Sequence, residues 1–506
     1  MNPRTGKPLI GFGSPEHSQA SIPANLAGQS IARYFVYDGM RGIDYLQSRS
    51  DIDPNRIGAY GCSGGGTITA YLAALDPRVQ AVGTACYLTT MDELLASRGP
   101  QEAEQTMSGF IQSGLDLADY VELAAPRPYA IISTTEDMFP FAGATIVHDE
   151  ARRFYALFAA QDKLHWITGP GPHGNLRPIM PQIISFFVQS LKATGGTPLP
   201  PIDAPADPSL SATPLPAKLS ISDLQVTPTG QILSSLGGVT IADVIKEAAE
   251  PELAARRPLS LPNLRAAIRD VTGAQENLTG KNEVETNNRS KESGLQRVAT
   301  TLHRPGIVSI NSLAIIPASE PRKLSVTFLY GTESLEKIAE TYHAKDIAIG
   351  KNSVPREVII VQLRPSVDEQ DNSEKSPFGP FYRTAQRAIL VGKTVTGIRI
   401  DEIRASLDQL CEETQVNSAN IEARASGPSS LALLQAAVLD PRLRHLEVSE
   451  LLEGYQDILD TPMHLNQSEQ LVPGVLIHYD VSDLLRVLKA RVTVLSRITA
   501  AGVEVK

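Results

Sequence analysis

The chain has 506 residues, enough for two to four domains that could each bury a core. Apolar residues make up 42%, ordinary for a globular protein, and 46 Lys and Arg against 56 Asp and Glu leave a net charge of −10. That balance argues against nucleic acid or an anionic membrane as the main partner.

Cys62, Cys86 and Cys411 are too few and too widely spaced for a disulfide framework or a metal-ligand motif; Cys62 and Cys86 read as buried thiols. No apolar run reaches membrane-spanning length, and MNPRTGKPLIGFG lacks the apolar stretch of a secretion signal.

In chain order, residues 1–28 read as loop, and helical spacing of Ile31, Phe35, Ile43 and Leu46 predicts a helix over 29–50. A turn and a strand (Arg56 to Tyr60), a Gly-rich knot (61–66) and a helix ending near Asp76-Pro77 follow. VQAVGTACYL reads as a strand, PRPYAIIST (126–134) as a buried strand, 144–160 as a helix, KLHWITG (163–169) as a strand and PIMPQIISFFVQSLKA as a closing helix. Strands alternating with helices imply a mostly parallel sheet covered on both faces, the α/β class.

Seven prolines in 195–216 predict a stiff linker, so a first α/β domain is expected at 1–194 and the linker at 195–218. A connecting region, 219–304, holds an expected small hairpin at 224–235, helices over 240–272 and a polar mobile loop at 275–294. Strand patterns at about 306–317, 324–330 and 357–363 and helical patterns at 380–411 and 430–439 make 305–506 a second α/β domain.

The two halves align without gaps around the knot. IGAYGCSGGGTITAYLAALDPR (57–78) pairs with IEARASGPSSLALLQAAVLDPR (421–442) at an offset of 364, with seven of 22 positions identical. The same offset pairs Asp116 with Asp480, Asp119 with Asp483 and Arg127 with Arg491, with a one-residue indel near 105 and 470. This is the signature of a repeat. The chemistry is not repeated: Gly427 stands opposite Ser63, Ala425 opposite Gly61, Pro428 opposite Gly64, and Ala501 opposite Asp137, while Ser426 is one residue out of register.

Gly61-Cys62-Ser63-Gly64-Gly65 lies between a predicted strand and a predicted helix, the setting of a nucleophile elbow. A tight turn there needs small neighbours and presents the Ser63 Oγ at a helix N-terminus, whose dipole favours a developing anion. A serine nucleophile needs a base, and the base an orienting carboxylate. His173, in GPGPHG after strand 163–169, is the candidate base; His165 within that strand and His148 within a helix read as structural. Asp137 and Glu136 both follow strand 126–134; the shorter Asp137 suits a tight loop, and Glu136 is the alternative. Asp162 reads as a turn residue. The N–H of Gly64 would be one oxyanion donor; no segment upstream of Ser63 offers the second.

YGCSGGGTITAYLAALDPRV, TTEDMFPF and GPGPHGNLRP resemble the bacterial acetyl xylan esterase-like branch of the α/β-hydrolases over roughly 28–190. SPFGPFYRTAQRAILVGK and TPMHLNQSEQLVPGVL resemble the degenerate second copy of tandem members. The resemblance implies a serine carboxylic-ester hydrolase, often a deacetylase of plant polysaccharide, with Ser63, Asp137 and His173 as triad and no metal or organic cofactor. Its partner would be a small ester or acetylated carbohydrate. Two rival readings stand beside it: a serine peptidase or amidase of the same fold, and a non-catalytic binding protein made of decayed hydrolase copies. The three strands expected before the elbow of the second half have no counterpart in the first half, so the first domain is expected to be incomplete at its N-terminus. A start further upstream would allow a secreted or periplasmic location.

Overall fold

The computed structural model describes residues 10–11, 13–97, 102–193, 198–212, 219–317, 325–351, 355–371, 377–413 and 421–505. They form two compact units, one of 31–238 and one that joins residues up to 30 with 239–506. No described helix is long and apolar enough to cross a membrane.

The unit of residues 31–238 is built on a four-stranded parallel sheet in the order β1 (Gly58–Cys62), β2 (Ala81–Ala85), β3 (Tyr129–Glu136), β4 (Leu164–Pro172). The helices Ala32–Ser48, Gly64–Leu75, Phe141–Ala156 and Met180–Ser190 fall where the apolar spacing predicts them, with ends moved by a few residues. Strand β2 is buried at all five positions because it has a strand on each side and helices over it. Ala130 and Ile132 point to a core with Ile167, Ile183 and Phe186, so the closing helix covers one face. The alternate residue Tyr129 points the other way, and its hydroxyl hydrogen-bonds Thr84 Oγ1 at 2.7 Å. Strand β1 lies at an edge, with Gly58 and Tyr60 exposed.

The Pro-rich stretch does not behave as a free spacer where it is described. Gln182 Nε2 donates to the carbonyls of Ala204 and Pro205, Ser185 Oγ donates to Pro200 O, and Asp207 N donates to Pro178 O. Ile202 and Ala206 pack on the core of the sheet's closing face. Proline lacks an N–H, so its carbonyls meet side-chain donors of the neighbouring helix instead of a strand. Residues 195–197 and 213–218 of the expected linker, with Pro214 and Pro216, lie outside the described residues.

The other unit carries an eight-stranded sheet. In spatial order it runs β13 (Val492–Val494), β11 (His445–Ser449), β10 (Ile421–Ser426), β8 (Val326–Gly331), β9 (Glu357–Gln362), β7 (Ile307–Pro317), β6 (Leu295–Arg304), β5 (Glu283–Glu292). The pairs from β13 to β9 are parallel, and those from β9 to β5 antiparallel. A three-stranded sheet of β12 (Leu451–Leu452), β14 (Arg497–Ile498) and β15 (Glu504–Val505) lies outside it in the sheet order. Three expectations are corrected here. The 275–294 segment is no loop from 283 on: β5 pairs along its length with β6, and it reads as polar because every residue of it is exposed. The expected hairpin at 224–235 is two short helical turns, Ile221–Leu224 and Ile232–Leu236. Residues 14–26 are a helix, and it belongs to this unit: Gln19 Nε2 donates to His464 O at 3.0 Å, Tyr382 Oη to Ser18 Oγ at 2.6 Å, and Gly474 N to Asn25 O at 2.7 Å.

The offset of 364 residues recurs in the geometry. Helix Gly64–Leu75 matches Pro428–Leu439 and strand β2 matches β11, end for end. Asp116 Oδ1 accepts from Met91 N at 2.9 Å, and Asp480 Oδ1 from Tyr455 N at 2.7 Å. Asp76 and Arg78 form the same fork as Asp440 and Arg442. Arg127 donates to the carbonyls of Ala73 and Val79, and Arg491 to those of Ala437 and Leu443. These bonds satisfy carbonyls at the end of one helix and in the turn before the next strand.

A buried carboxyl in this unit gives a stability prediction. Glu402, on helix Val395–Glu413, is fully buried; its Oε2 accepts from Arg364 N at 2.9 Å, and its Oε1 has no partner among the described residues. Burial pushes its pKa up from the ordinary 4.5 to about 8. The folded state therefore holds a proton that the unfolded chain releases, and stability falls as pH rises from 4.5 to 8. Glu402→Gln keeps an acceptor for Arg364 and removes the titration. The variant should match the wild type near pH 4.5 and exceed it by a few kcal/mol, order of magnitude, near pH 8. Urea unfolding at the two pH values checks this; a constant difference would refute it.

Candidate active site

Ser63 sits between β1 and the helix Gly64–Leu75 with φ 61° and ψ −125°. A positive φ is costly for a residue with a Cβ, and such strain gathers at functional sites. Two bonds pin the turn: Ser63 N donates to Ala85 O at 3.0 Å, and Thr67 N to Ser63 O at 2.9 Å. The Gly-rich surroundings are steric. A Cβ on Gly61 would overlap the Gly65 carbonyl, and one on Gly66 would lie 2.5 Å from Ala85 O. Gly64 opens the helix, so its N–H is one of the orphan donors at a helix N-terminus.

The other two expected residues meet. Asp137 follows the end of β3 and His173 the end of β4, and neighbouring parallel strands bring their C-terminal loops together. His173 Nδ1 donates to Asp137 Oδ1 at 2.7 Å. The Asp137 side chain is 3% exposed and that of His173 23%. Thr134 Oγ1 donates to Asp137 Oδ2 at 2.8 Å and Phe139 N to Oδ1 at 2.9 Å, which fixes the carboxylate. The Phe139 ring lies against the imidazole at 5.9 Å. Glu136 is exposed and paired in register with Pro172.

The remaining histidines of this unit sit elsewhere. His148 stacks on Trp166 at 5.1 Å, and His165 meets Phe186 edge-on at 5.6 Å, where burial lowers its pKa. Asp162 lies in a short turn before β4.

Sequence reasoning left two neighbours out. Cys62 ends β1 beside Ser63, and Cys86 follows β2 with φ 53°. Cys86 Sγ, a carboxylate oxygen of Asp137 and a ring nitrogen of His173 lie within 4.8 Å of one another. The Cys86 thiol beside it lowers the pKa of Cys62 to about 7, and the Cys62 thiol and burial push that of Cys86 up. The signal in the sequence was position alone, each cysteine standing at a strand's C-terminal end.

At the matching place in the other unit the turn is kept and the side chains are not. Gly427 has φ 57° and ψ −135°, and its N–H donates to Ser449 O at 3.0 Å. Ser426 Oγ donates to Glu450 Oε2 at 2.7 Å, and Glu450 has φ 48° as Cys86 has 53°. Beyond β14 the chain turns back to pair with β15.

No family model matches the chain. YtaP of Bacillus subtilis (strain 168), which bears the name of a hydrolase, is 27% identical over 173 residues, 32% of this chain and 55% of its own length. The chain thus spans about half of that relative. Among solved structures, a protein described as an acetyl xylan esterase from Bacteroides fragilis NCTC 9343 aligns with a TM-score of 0.38 at 11% identity, over 47% of this chain and 67% of that one. A glucuronoyl esterase from Solibacter usitatus aligns with a TM-score of 0.34 at 13% identity, over 46% of this chain and 72% of that one.

Proposed function

We propose that this chain is a serine carboxylic-ester hydrolase of the α/β-hydrolase type acting on small esters, with acetylated carbohydrate as its substrate class. The observation that carries the reading is the Asp137–His173 hydrogen bond of 2.7 Å at the ends of adjacent parallel strands, together with Ser63 held at φ 61° between strand and helix. Ser63 Oγ attacks the ester carbonyl as His173 takes its proton. Asp137 holds the imidazole with Nδ1 protonated, leaving Nε2 for the serine, and stabilises the imidazolium. The N–H of Gly64 and the helix dipole face the oxyanion. His173 returns the proton to the leaving alcohol, and water repeats the sequence on the acyl-enzyme.

The unit that contains Gly427 is, in this reading, a second copy that kept its fold and lost its chemistry. The hydrogen bonds repeated at one offset support the first part. Glycine at the elbow, and Pro428 where an N–H would be needed, support the second.

A panel of p-nitrophenyl acetate, butyrate and octanoate, with acetate release from acetylated xylan, tests the substrate class on the purified chain. The acetyl ester should be turned over fastest, and a fluorophosphonate should modify one serine, in the peptide containing Ser63. Preference for octanoate would overturn the substrate class, and modification of Ser426 the assignment of the two copies.

A further inference from the structure

Two thiols beside His173, Cys62 and Cys86, take no part in acyl transfer. Cys62 pairs with Ala85 across the β1–β2 ladder, so Cys62 and Cys86 stand diagonally opposed at the ends of two neighbouring strands. Their counterparts at an offset of 364, Ser426 and Glu450, hydrogen-bond at 2.7 Å across the same pair of strand ends. Neither thiol is in a disulfide. Cys86 Sγ lies within 4.8 Å of donor atoms of both Asp137 and His173. Cys62 Sγ faces the same loop, 4.0 Å from where a Cβ on Gly174 would be, next to His173.

We propose that Cys62, Cys86, Asp137 and His173 form an inhibitory binding site for a thiophilic divalent cation, zinc being the representative ion. Two thiolates, an imidazole and a carboxylate are the ligand types Zn²⁺ takes in fours. Its Zn–S distance is about 2.3 Å and its Zn–N distance about 2.0–2.1 Å, so neighbouring ligand atoms sit roughly 3.3–3.8 Å apart. Cys86 Sγ, within 4.8 Å of the other two donors, therefore needs to close by at most about 1.5 Å, while the His173–Asp137 contact of 2.7 Å opens to admit the ion. Mg²⁺ and Ca²⁺ prefer oxygen ligands and are not held by such a set. The thiols release their protons to solvent as the ion binds. An imidazole nitrogen bound to the ion cannot accept the proton of Ser63, and Asp137 can no longer hold the ring in place for it. The word inhibitory rests on the esterase reading; binding does not.

Co²⁺ is the probe, because a thiolate ligand gives it a charge-transfer absorption that oxygen and nitrogen ligands do not. The full chain, reduced and stripped of metal, should take up one Co²⁺ with that absorption, and Zn²⁺ should displace it. Cys62→Ser and Cys86→Ser should each weaken Zn²⁺ binding at least tenfold and remove or halve the absorption. Cys411→Ser, at an exposed thiol elsewhere, should leave it intact. Serine stands at the position of Cys62 in the other unit, so Cys62→Ser suits this backbone. The Zn²⁺ concentration that half-blocks fluorophosphonate labelling should rise at least tenfold in Cys62→Ser. No thiolate absorption in the wild type, or absorption that survives both substitutions, overturns the site. Labelling that ignores Zn²⁺ while Co²⁺ binds overturns its inhibitory role. A chain that never labels, with or without metal, counts against the esterase reading and leaves the Co²⁺ result standing.

Discussion

Asp137→Asn is expected to lower kcat for p-nitrophenyl acetate by about 10⁴, while Glu136→Gln stays within a few-fold of the wild type. The two carboxylates are adjacent in sequence and differ in setting. Asp137 takes hydrogen bonds from His173 Nδ1, Phe139 N and Thr134 Oγ1 in a nearly closed pocket. Asparagine has one oxygen and one NH2 for those three donors. If the oxygen stays on Phe139 and His173, Thr134 faces the NH2; if the amide flips, the imidazole must take the other tautomer and point an N–H at Ser63. Either way the base is lost or misaligned. Glu136 is exposed and bonds to none of these groups. Ser63→Ala should remove both turnover and fluorophosphonate labelling, since no other group in the site replaces its Oγ. Steady-state kinetics on the three variants decide the assignment, and a large loss in Glu136→Gln with a small one in Asp137→Asn would move the acid to Glu136.

Much of this site is legible in the sequence because its residues occupy equivalent places in a repetitive architecture. Each expected catalytic residue follows a strand, and parallel strands deliver their C-terminal ends to one side of the sheet. A short apolar run such as PRPYAIIST gives the strand, and the residue type just after it gives the candidate. The thiol pair was not legible in the same way. Cys62 and Cys86 are 24 positions apart, a spacing with no meaning until β1 and β2 are laid side by side in register.

The elements that escaped the sequence did so for physical reasons. The helix Ser14–Leu26 is buried at every position from Ser18 to Leu26 except Ala20, and it includes Ser21, Asn25 and Pro23. A helix enclosed on most sides shows no apolar stripe, and its polar residues read as loop unless their partners are known. Gln19 finds its partner at His464, more than 400 positions away, and the Asn25 side chain donates back to Ser21 O within the helix. Strand β5 escaped for the opposite reason: fully exposed, it has no buried face to impose alternation, and only the ladder to β6 defines it. The TPTG of 227–230 carries a turn signal, but the flanking residues form helical turns, the first opened by Ser220, whose side chain accepts from Asp223 N.

Gly61→Ala is expected to reduce kcat/KM by at least about 10² while the protein stays folded, and Gly65→Ala to change it little. Both are glycines of the same short motif, and the structure separates them. A Cβ on Gly61 would overlap the Gly65 carbonyl and lie 2.9 Å from Gly65 Cα, whereas one on Gly65 meets nothing within 4 Å. The clash is with backbone in the first helical turn, so no side chain can swing aside to relieve it. The helix Gly64–Leu75 must move away from β1, and Ser63 Oγ and the Gly64 N–H move with it. A displacement of that size is enough to lose alignment with His173 and with the oxyanion. The other unit shows why folding should survive. It has Ala425 at this position, and its elbow still forms, with Gly427 N bonded to Ser449 O at 3.0 Å and ψ shifted from −125° to −135°. Alanine before the elbow is thus compatible with the turn where no nucleophile has to be aimed. Circular dichroism with kcat/KM for the two variants checks this. An active Gly61→Ala protein would mean that the first helical turn relaxes without moving Ser63, and that the first glycine of the motif is not what positions the nucleophile.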